Sequence, residues 1–407
     1  MAVSTVARPL CFAGSLFPLP DSFDILPSSV RHGPKASISF TLLTTGHISY
    51  LFSLQHLSAT RCIYSALGLC DLVMTGSERK MEDLNLPGGI PVDSEYGGFE
   101  VLEEEDVANS AYSQASSIHN FRVEHGRRYH EYREGHPFPY DEVSTENEAT
   151  LHELVLLLLG DRYFLSPINE SRLRCIADVG TGQGFWAEGV AQRYPDAEVV
   201  GFDTIYHELS VEPNCSFIVQ DATEEWVLDN PDMLFDLIHI RNLFVGVKDW
   251  KPVYQQCFEK MRSGGWIEQY EIEIEATTDD QDESPDTEIR KLSDIADDMA
   301  RASGRDFKIS QKMKHLIEEA GFVDVQEQKV NLPLGPWASD PKLKDIGRFF
   351  ERFYKTGLQG WLMHICTRFL GKTPEEVNSW CSKAFQEINS RKHHYYFPLV
   401  IVIGRKP

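Results

Sequence analysis

The sequence predicts an α/β fold with a Rossmann-like, doubly wound, seven-stranded sheet and a helical insertion before the last strand. Three observations support this fold class. Short apolar strands alternate with helices after Pro167, a glycine-rich turn follows the first strand, and a long helical stretch precedes a final apolar strand. Regular alternation of strands and helices is typical of a parallel sheet that is covered by helices on both faces.

The composition predicts a packed core, since 42% of the 407 residues are apolar and 25% are charged. The formal net charge of −23 repels polyphosphates, and no basic cluster offsets it, so we expect no nucleic-acid partner. No apolar run is long enough to span a bilayer, and we expect no membrane contact. The eight cysteines include no CxxC pair, which indicates a reducing compartment and no metal site. We expect a cytoplasmic location, with a nuclear one as the alternative.

The N-terminal part differs in composition from the rest. Residues 1–80 are rich in Ser, Leu and Thr, and we expect a poorly structured extension of doubtful origin that is no part of the working enzyme. Translation from Met74 or Met81 would explain it. Residues 81–118 are acidic and predict a flexible arm. Residues 119–407 form the main domain.

The elements of the main domain follow from periodicity and from stop signals. A helix is predicted from about Thr150 to Leu159, after a capping-box pattern at Thr145 and Glu148. A helix over 253–261 is expected to end at Ser263-Gly264-Gly265. The predicted strands are 175–179, 198–202, 217–220, 235–240, 266–274, 323–332 and 395–403. The other predicted helices are 185–194, 288–301 and 309–320, followed by a helical region over 341–390 with a capped start at Thr373, Pro374 and Glu376.

The glycine-rich turn carries the strongest functional signal. The segment from Asp178 to Phe185 places Gly180, Gly182 and Gly184 between a strand and a helix. Glycines allow positive φ and a close approach of the backbone to a ligand. Dinucleotide enzymes use G-x-G-x-x-G, whereas this spacing is G-x-G-x-G, and the preceding Asp178 suits a cationic ligand better than a phosphate. S-adenosylmethionine (SAM) carries an ammonium and a sulfonium group.

Two further acids extend this pattern. Asp203 ends the second strand, where an acid accepts hydrogen bonds from ribose hydroxyls. Asp221 and Ala222 follow the third strand, where they suit an adenine ring. Each acid alone is more often a turn residue or a helix cap. The ordered set of acids and glycines predicts a SAM site.

At these residues the sequence resembles the fungal LaeA-like methyltransferases, which are class I SAM-dependent enzymes with a seven-stranded sheet. The resemblance covers roughly residues 119–407. The matching stretches are 125–130, 156–160, 178–186, 235–243, 263–268, 335–337, 396–398 and 404–407. One departure is Gln183, where a threonine is common in the family.

The resemblance implies roles for individual residues. The three loop glycines would lie under the methionine part of SAM, Asp203 would bind its ribose, and Asp221 its adenine. Arg241 and Asn242 would line the cofactor and the substrate. Tyr129 would be an upstream aromatic residue that closes over the cofactor.

Methyl transfer needs a positioned nucleophile, and a base only for some acceptors. His239, near the carboxyl end of the fourth strand, is the best candidate by position, although a histidine in a buried strand is more often a core residue. His207, His130 and Glu271 are weaker candidates. The apolar residues of the insertion at 336–390 suit either a core face or a lid over a hydrophobic substrate.

Three functions therefore remain open. The first is an enzyme that methylates a small molecule, in fungal secondary-metabolite biosynthesis. The second is a LaeA-like nuclear regulator of secondary metabolism that acts with protein partners. The third is a binding module with a relict site, which the intact glycine loop disfavours.

Overall fold

The computed structural model describes residues 24–31, 37–43, 50–55, 89–93, 121–130, 137–204, 212–228, 230–280 and 286–407. The chain divides into two compact units, Met1–Ser77 and Glu78–Pro407. In the first unit, β1 (Asp24–Arg31), β2 (Ser37–Leu43) and β3 (Tyr50–Gln55) form an antiparallel sheet. These strands lie in the extension for which the sequence predicts little regular structure. That the working enzyme lacks residues 1–80 stays a prediction.

The second unit alternates strands and helices as predicted. Its described elements are β4 (Phe121–Glu124), β5 (Arg127–His130), α1 (Glu142–Leu159), β6 (Cys175–Val179), α2 (Phe185–Arg193), β7 (Glu198–Asp203), β8 (Cys215–Val219), β9 (Phe235–Arg241), α3 (Trp250–Glu259), β10 (Met261–Ile272), α4 (Glu288–Ser303), α5 (Met313–Glu319), β11 (Val323–Pro333), α6 (Pro341–Phe369), α7 (Pro374–Asn389) and β12 (Tyr396–Arg405). β4 and β5 pair as an antiparallel hairpin.

The main sheet has seven strands in the order β11-β12-β10-β9-β6-β7-β8. The five strands from β10 to β8 in this order are parallel, and β12 is antiparallel to both of its neighbours. The chain runs outward from β6 through β7 to β8 and then returns to β9 on the other side of β6. Ligands of open α/β sheets bind at such a switch point, outside the carboxyl ends of the strands. The topology confirms the predicted fold class.

Both faces of the sheet are buried, which explains why its inner strands are almost continuously apolar. On β9, Leu237 packs with α1, α2 and α6, while its neighbour Ile238 packs with α3 and α5 on the opposite face. Both residues are fully buried. The two apolar cores fix the sheet between two helical layers, and this holds the carboxyl edge in place.

Helix α1 begins eight residues before the predicted Thr150, and the predicted capping box is wrong. Asp141 is the N-cap and accepts a hydrogen bond from the backbone N–H of Ser144. The Thr145 hydroxyl donates to the Asp141 carbonyl, and Glu148 faces the glycine loop instead of the helix start. An aspartate three residues before a free N–H caps a helix as well as a threonine does.

The predicted stop of α3 at Ser263-Gly264-Gly265 is also wrong. Helix α3 ends at Glu259, and the Ser-Gly-Gly triplet lies within β10. The pairing of β10 with β9 shifts register between Met261 and Trp266, so the glycines form an irregularity in the strand. Glycine inside a strand is typical of such a bulge.

Part of the predicted flexible arm is ordered against the main domain. Residues 89–93 run beside the segment before α6, and Val92 forms an antiparallel bridge with Ala338. Ile90 is only 7% exposed. The Asp93 N–H donates to the Trp337 carbonyl at 2.7 Å. For residues 89–93 the expectation of flexibility is therefore wrong.

The predicted helical region before the last strand consists of two helices, α6 and α7, between the adjacent strands β11 and β12. The capping box at Thr373 and Glu376 is confirmed, since each side chain accepts from the backbone N–H of the other residue. Proline occupies the first position of both helices. Among the described residues, no helix has the length and apolarity to cross a membrane.

Replacing Asp141 with alanine should lower the free energy of unfolding by about 1–3 kcal/mol, because it removes a helix cap and the bidentate partner of Arg127. Thr145→Ala should change it by less than about 0.5 kcal/mol. Urea denaturation of both variants measures the difference. A larger loss for Thr145→Ala than for Asp141→Ala would restore the capping box that the sequence predicts.

Candidate functional site

The glycine loop between β6 and α2 requires glycine at three positions. Gly180, Gly182 and Gly184 have φ of 73°, 56° and 80°. A Cβ on Gly180 would lie 2.6 Å from a methyl carbon of Leu243, and one on Gly184 would lie 2.6 Å from the ring of Phe217. Side chains rarely adopt such φ angles, so both backbone and space exclude them.

Hydrogen bonds tie this loop to its neighbours. The N–H groups of Gly180 and Thr181 donate to the Phe202 carbonyl at 2.8 and 2.9 Å. The Gly182 N–H donates to Asp203 Oδ2 at 2.9 Å. The Gln183 N–H donates to Glu148 Oε2 at 2.7 Å. The end of β7 and the side of α1 therefore hold the loop from two directions.

Asp178 is buried below the loop and has two partners. Its Oδ2 accepts from the Thr181 hydroxyl at 2.7 Å, and its Oδ1 lies 2.8 Å from His239 Nδ1. The His239 ring stacks on Trp186 with centroids 3.9 Å apart and an interplanar angle of 3°. Burial lowers the pKa of His239, so the ring is neutral and holds Asp178 in place.

A cavity of about 270 Å³ opens at the carboxyl edge of the sheet. One half is polar and is built on the loops that follow β6, β7 and β9, together with the start of α1. The other half is apolar and is built on α4, α6 and the start of β12. The polar half includes Tyr140, Glu148, Asp178, Thr181, Asp203, Arg241 and Asn242. The apolar half includes Leu292, Met299, Phe307, Phe350, Phe353, Tyr354, Trp361 and Phe397.

Most of the predicted cofactor residues converge on the polar half. Gly180, Gly182, Asp203, Arg241 and Asn242 line the cavity, as does Asp178. Asn242 has a left-handed φ of 48°, and its side-chain oxygen accepts from the Ile272 N–H at 3.2 Å. Asn242 thus fixes the turn after β9 to β10, which positions the preceding Arg241 toward the cavity.

Arg241 brings a positive charge to the polar half of the cavity, where Glu148, Asp178 and Asp203 are acidic. Burial lowers the pKa of its guanidinium, while Asp178 and Glu148 oppose that effect. Within the described part of the chain, no group accepts a hydrogen bond from this guanidinium. A half-buried cation at a cavity wall, with no acceptor among the described residues, favours an anionic group of a ligand.

Tyr140 and Glu148 line the cavity but were not predicted as site residues. Glu148 lies on α1, and its carboxylate occupies the space that a Cβ of Gly182 would take. Burial raises the pKa of Glu148 to about 7, helped by Asp203 and opposed by Arg241. In the sequence, Glu148 fits a capping box with Thr145, which hides its place beside the loop. The aromatic run before α1 could have indicated Tyr140.

Five predicted residues do not belong to the described cavity lining: Tyr129, Gly184, Asp221, Ala222 and His239. Tyr129 is fully buried against His364 of α6, with ring centroids 5.0 Å apart, so it is wrong as a lid over the cofactor. Tyr140, ahead of α1, is an aromatic residue that lines the cavity. The Asp221 carboxylate accepts from the N–H and hydroxyl of Thr223. Residues 205–211, between Asp203 and this turn, lie outside the described residues.

His239, the first of the predicted bases, lacks access to the cavity. His239 is 1% exposed and is engaged by Asp178. His207 and the side chain of His130 lie outside the described residues. No histidine lines the cavity among the residues that the structure describes.

Glu271 is a buried carboxyl group below the turn that follows β9. Its Oε1 accepts from the Leu243 N–H at 3.2 Å and from Gln269 Nε2 at 2.9 Å. Burial raises the pKa of Glu271 to about 8. Glu271 therefore supports the loop that carries Leu243 and does not reach the cavity itself.

Comparison with known proteins finds a methyltransferase family model and several fungal relatives. Residues 151–327 match the family described as a methyltransferase domain. The methyltransferase pytC of Aspergillus terreus is 32% identical over 305 residues, which cover 74% of this chain and 93% of that protein. The secondary metabolism regulator laeA of Aspergillus flavus is 30% identical over 307 residues, covering 74% and 81%. The protein-methionine methyltransferase laeA of Emericella nidulans is 29% identical over 301 residues, covering 73% and 79%.

The raised pKa of Glu271 predicts a pH-dependent stability. The folded protein keeps this proton between the ordinary value of 4.5 and about 8, so its contribution to stability is lost as the pH rises through that range. Glu271→Gln should match the wild type near pH 5 and exceed it by at least ~1 kcal/mol near pH 9. Urea denaturation at both pH values measures this. Glu259→Gln, at the exposed end of α3, is the control, and the same pH-dependent gain in both variants would contradict the assignment to Glu271.

Proposed function

This chain belongs to the fungal LaeA-like family of SAM-dependent methyltransferases, and from that premise we propose that it methylates an apolar small molecule. One observation carries the proposal: a single cavity joins the polar glycine loop to an aromatic half of the site. A methyl donor and an apolar acceptor held in these two halves would meet within one enclosed space.

The residues of the polar half fit SAM. The backbone of Gly180 and Gly182 borders the cavity without side chains, so a ligand can approach the main chain of the loop closely. Asp203 ends β7 beside the loop, and Arg241 offers an unpaired cation at the wall. When bound, SAM supplies a methyl group on a positively charged sulfur.

We assign the protein's contribution mainly to positioning. With no histidine in the described lining, the walls orient the reactants and exclude water instead of removing a proton through histidine. Such alignment supplies a large part of the rate in transfer reactions. Acceptors that carry an ionised oxygen or a neutral amine need no base in this scheme.

The aromatic half supports an apolar acceptor. The ring centroids of Phe353 and Trp361 lie 5.0 Å apart, and those of Tyr354 and Phe397 lie 5.4 Å apart. Tilted rings at these distances are typical of packed aromatic pairs, and their faces form a rigid wall. We propose that α6 forms a wall of the acceptor half, since it packs on α1 through Asn147, whose Nδ2 donates to the Phe353 carbonyl at 2.6 Å.

A protein acceptor is the second candidate. It rests on relatives whose names describe a regulator and a protein-methionine methyltransferase. For this chain it would imply a protein partner and a nuclear site of action. The small, largely apolar cavity favours the small-molecule acceptor.

Asp203→Ala should weaken binding of SAM to the full chain by about 10- to 100-fold, because it removes a charged acceptor from the cofactor side of the cavity. Calorimetric titration measures the dissociation constant. Asp345→Ala, on the exposed side of α6, is the matched control and should bind like the wild type. Wild-type protein that binds neither SAM nor its demethylated product would refute the proposed function.

Trp361→Ala should leave SAM affinity unchanged and lower transfer of a radioactive methyl group to apolar phenols, acids or amines at least ~10-fold, because it opens the acceptor wall. Radioactivity is counted separately in the organic phase and in precipitated protein. Trp380→Ala, on α7 and outside the cavity lining, is the control. Label that appears only in protein would favour the second candidate.

A further inference from the structure

Two oppositely charged side chains face the cavity without pairing with each other. Glu148 and Arg241 each influence the pKa of the other, so they are electrostatic neighbours. Among the described residues, however, neither forms a salt bridge with its neighbour. Opposite charges in a site of low polarity would gain from contact, and their separation leaves room for a ligand that carries both signs.

We propose that Glu148 and Arg241 recognise the zwitterionic amino-acid end of SAM, Glu148 through the ammonium and Arg241 through the carboxylate. This inference rests on the proposed function and assigns a recognition role to both residues. The amino-acid end of SAM carries an ammonium group and a carboxylate, which are the opposite charges to those of Glu148 and Arg241. A charge-assisted hydrogen bond at each end would satisfy both side chains.

The position of Glu148 supports its share of this role. Its Oε2 accepts from the Gln183 N–H at 2.7 Å and lies against the Cα of Gly182, so the carboxylate borders the floor of the loop. Its charged neighbours are Asp203 and Arg241, and Tyr140 lies nearby. Burial, with Asp203 nearby, raises the pKa of Glu148 to about 7, and an ammonium group in contact would favour the charged carboxylate.

The surroundings of Arg241 support its role in binding the carboxylate. Asp178 attracts the guanidinium, but its carboxylate already accepts from Thr181 and pairs with His239. Arg241 is thus held near the loop by charge, while its donors stay available to the cavity. A guanidinium matches a carboxylate through two parallel hydrogen bonds.

Three ligands test the two contacts separately in the full chain. SAM carries both charged groups, decarboxylated SAM keeps only the amine, and 5′-methylthioadenosine lacks both. Glu148→Gln should weaken SAM and decarboxylated SAM by about 10- to 100-fold in calorimetric titrations. Arg241→Met should weaken SAM by a similar factor and leave decarboxylated SAM unchanged. Neither variant should change the binding of 5′-methylthioadenosine.

The control is Glu146→Gln, which makes the same substitution on the exposed face of α1 and should bind all three ligands like the wild type. Arg241→Lys should recover part of the SAM affinity, since it restores the charge. Equal loss of all three ligands in Glu148→Gln would show that this residue only supports the loop, and would overturn the proposal. Unchanged SAM affinity in both variants would overturn it too, because neither side chain would then bind the cofactor. Failure of the wild type to bind any of the three would instead refute the proposed function.

Discussion

The turn between β6 and α2 exists only because three of its residues lack side chains. Their left-handed backbone brings the loop against Leu243 on one side and Phe217 on the other, with no room for a Cβ. Everything that defines the site is placed relative to this turn. Asp203 and Glu148 accept its N–H groups, and Asp178 supports it from below through Thr181. The seven-stranded sheet contributes by holding the ends of β6, β7 and β9 at one edge.

The site also shows how buried charge is managed. Asp178 is satisfied by a hydroxyl and by a neutral histidine, which is itself fixed by stacking on Trp186. The Asp178 carboxylate therefore has hydrogen-bonding partners for both of its oxygens within the protein. Glu148 and Arg241 have no ion-pair partner among the described residues. Burial raises the pKa of Glu148 and lowers that of Arg241, and both changes favour the neutral form. A protein maintains such groups at a cost in stability, which is typical of ligand sites.

The fold could be predicted from the sequence because local periodicity and glycine spacing encode it. The position of Asp203 followed from the same logic, since the ends of adjacent parallel strands meet at one edge, whereas Arg241 was expected from the family resemblance. Two of the errors concern contacts between distant segments. Nothing local indicates that Tyr129 packs on His364, more than 200 residues away. Likewise, Glu148 fits a capping box in sequence, and only the approach of α1 to the glycine loop gives it another partner.

The helices α6 and α7 are inserted between β11 and β12, which are neighbours in the sheet. The aromatic wall of α6 shares the cavity with the cofactor half but contributes nothing to the glycine loop. In this arrangement, the residues of the proposed acceptor wall and those of the cofactor half belong to different parts of the chain. Drift in the insertion can change which molecule is accepted, while the strand register and the donor site stay under independent selection. A family with this architecture can diversify its substrates without having to reinvent its chemistry.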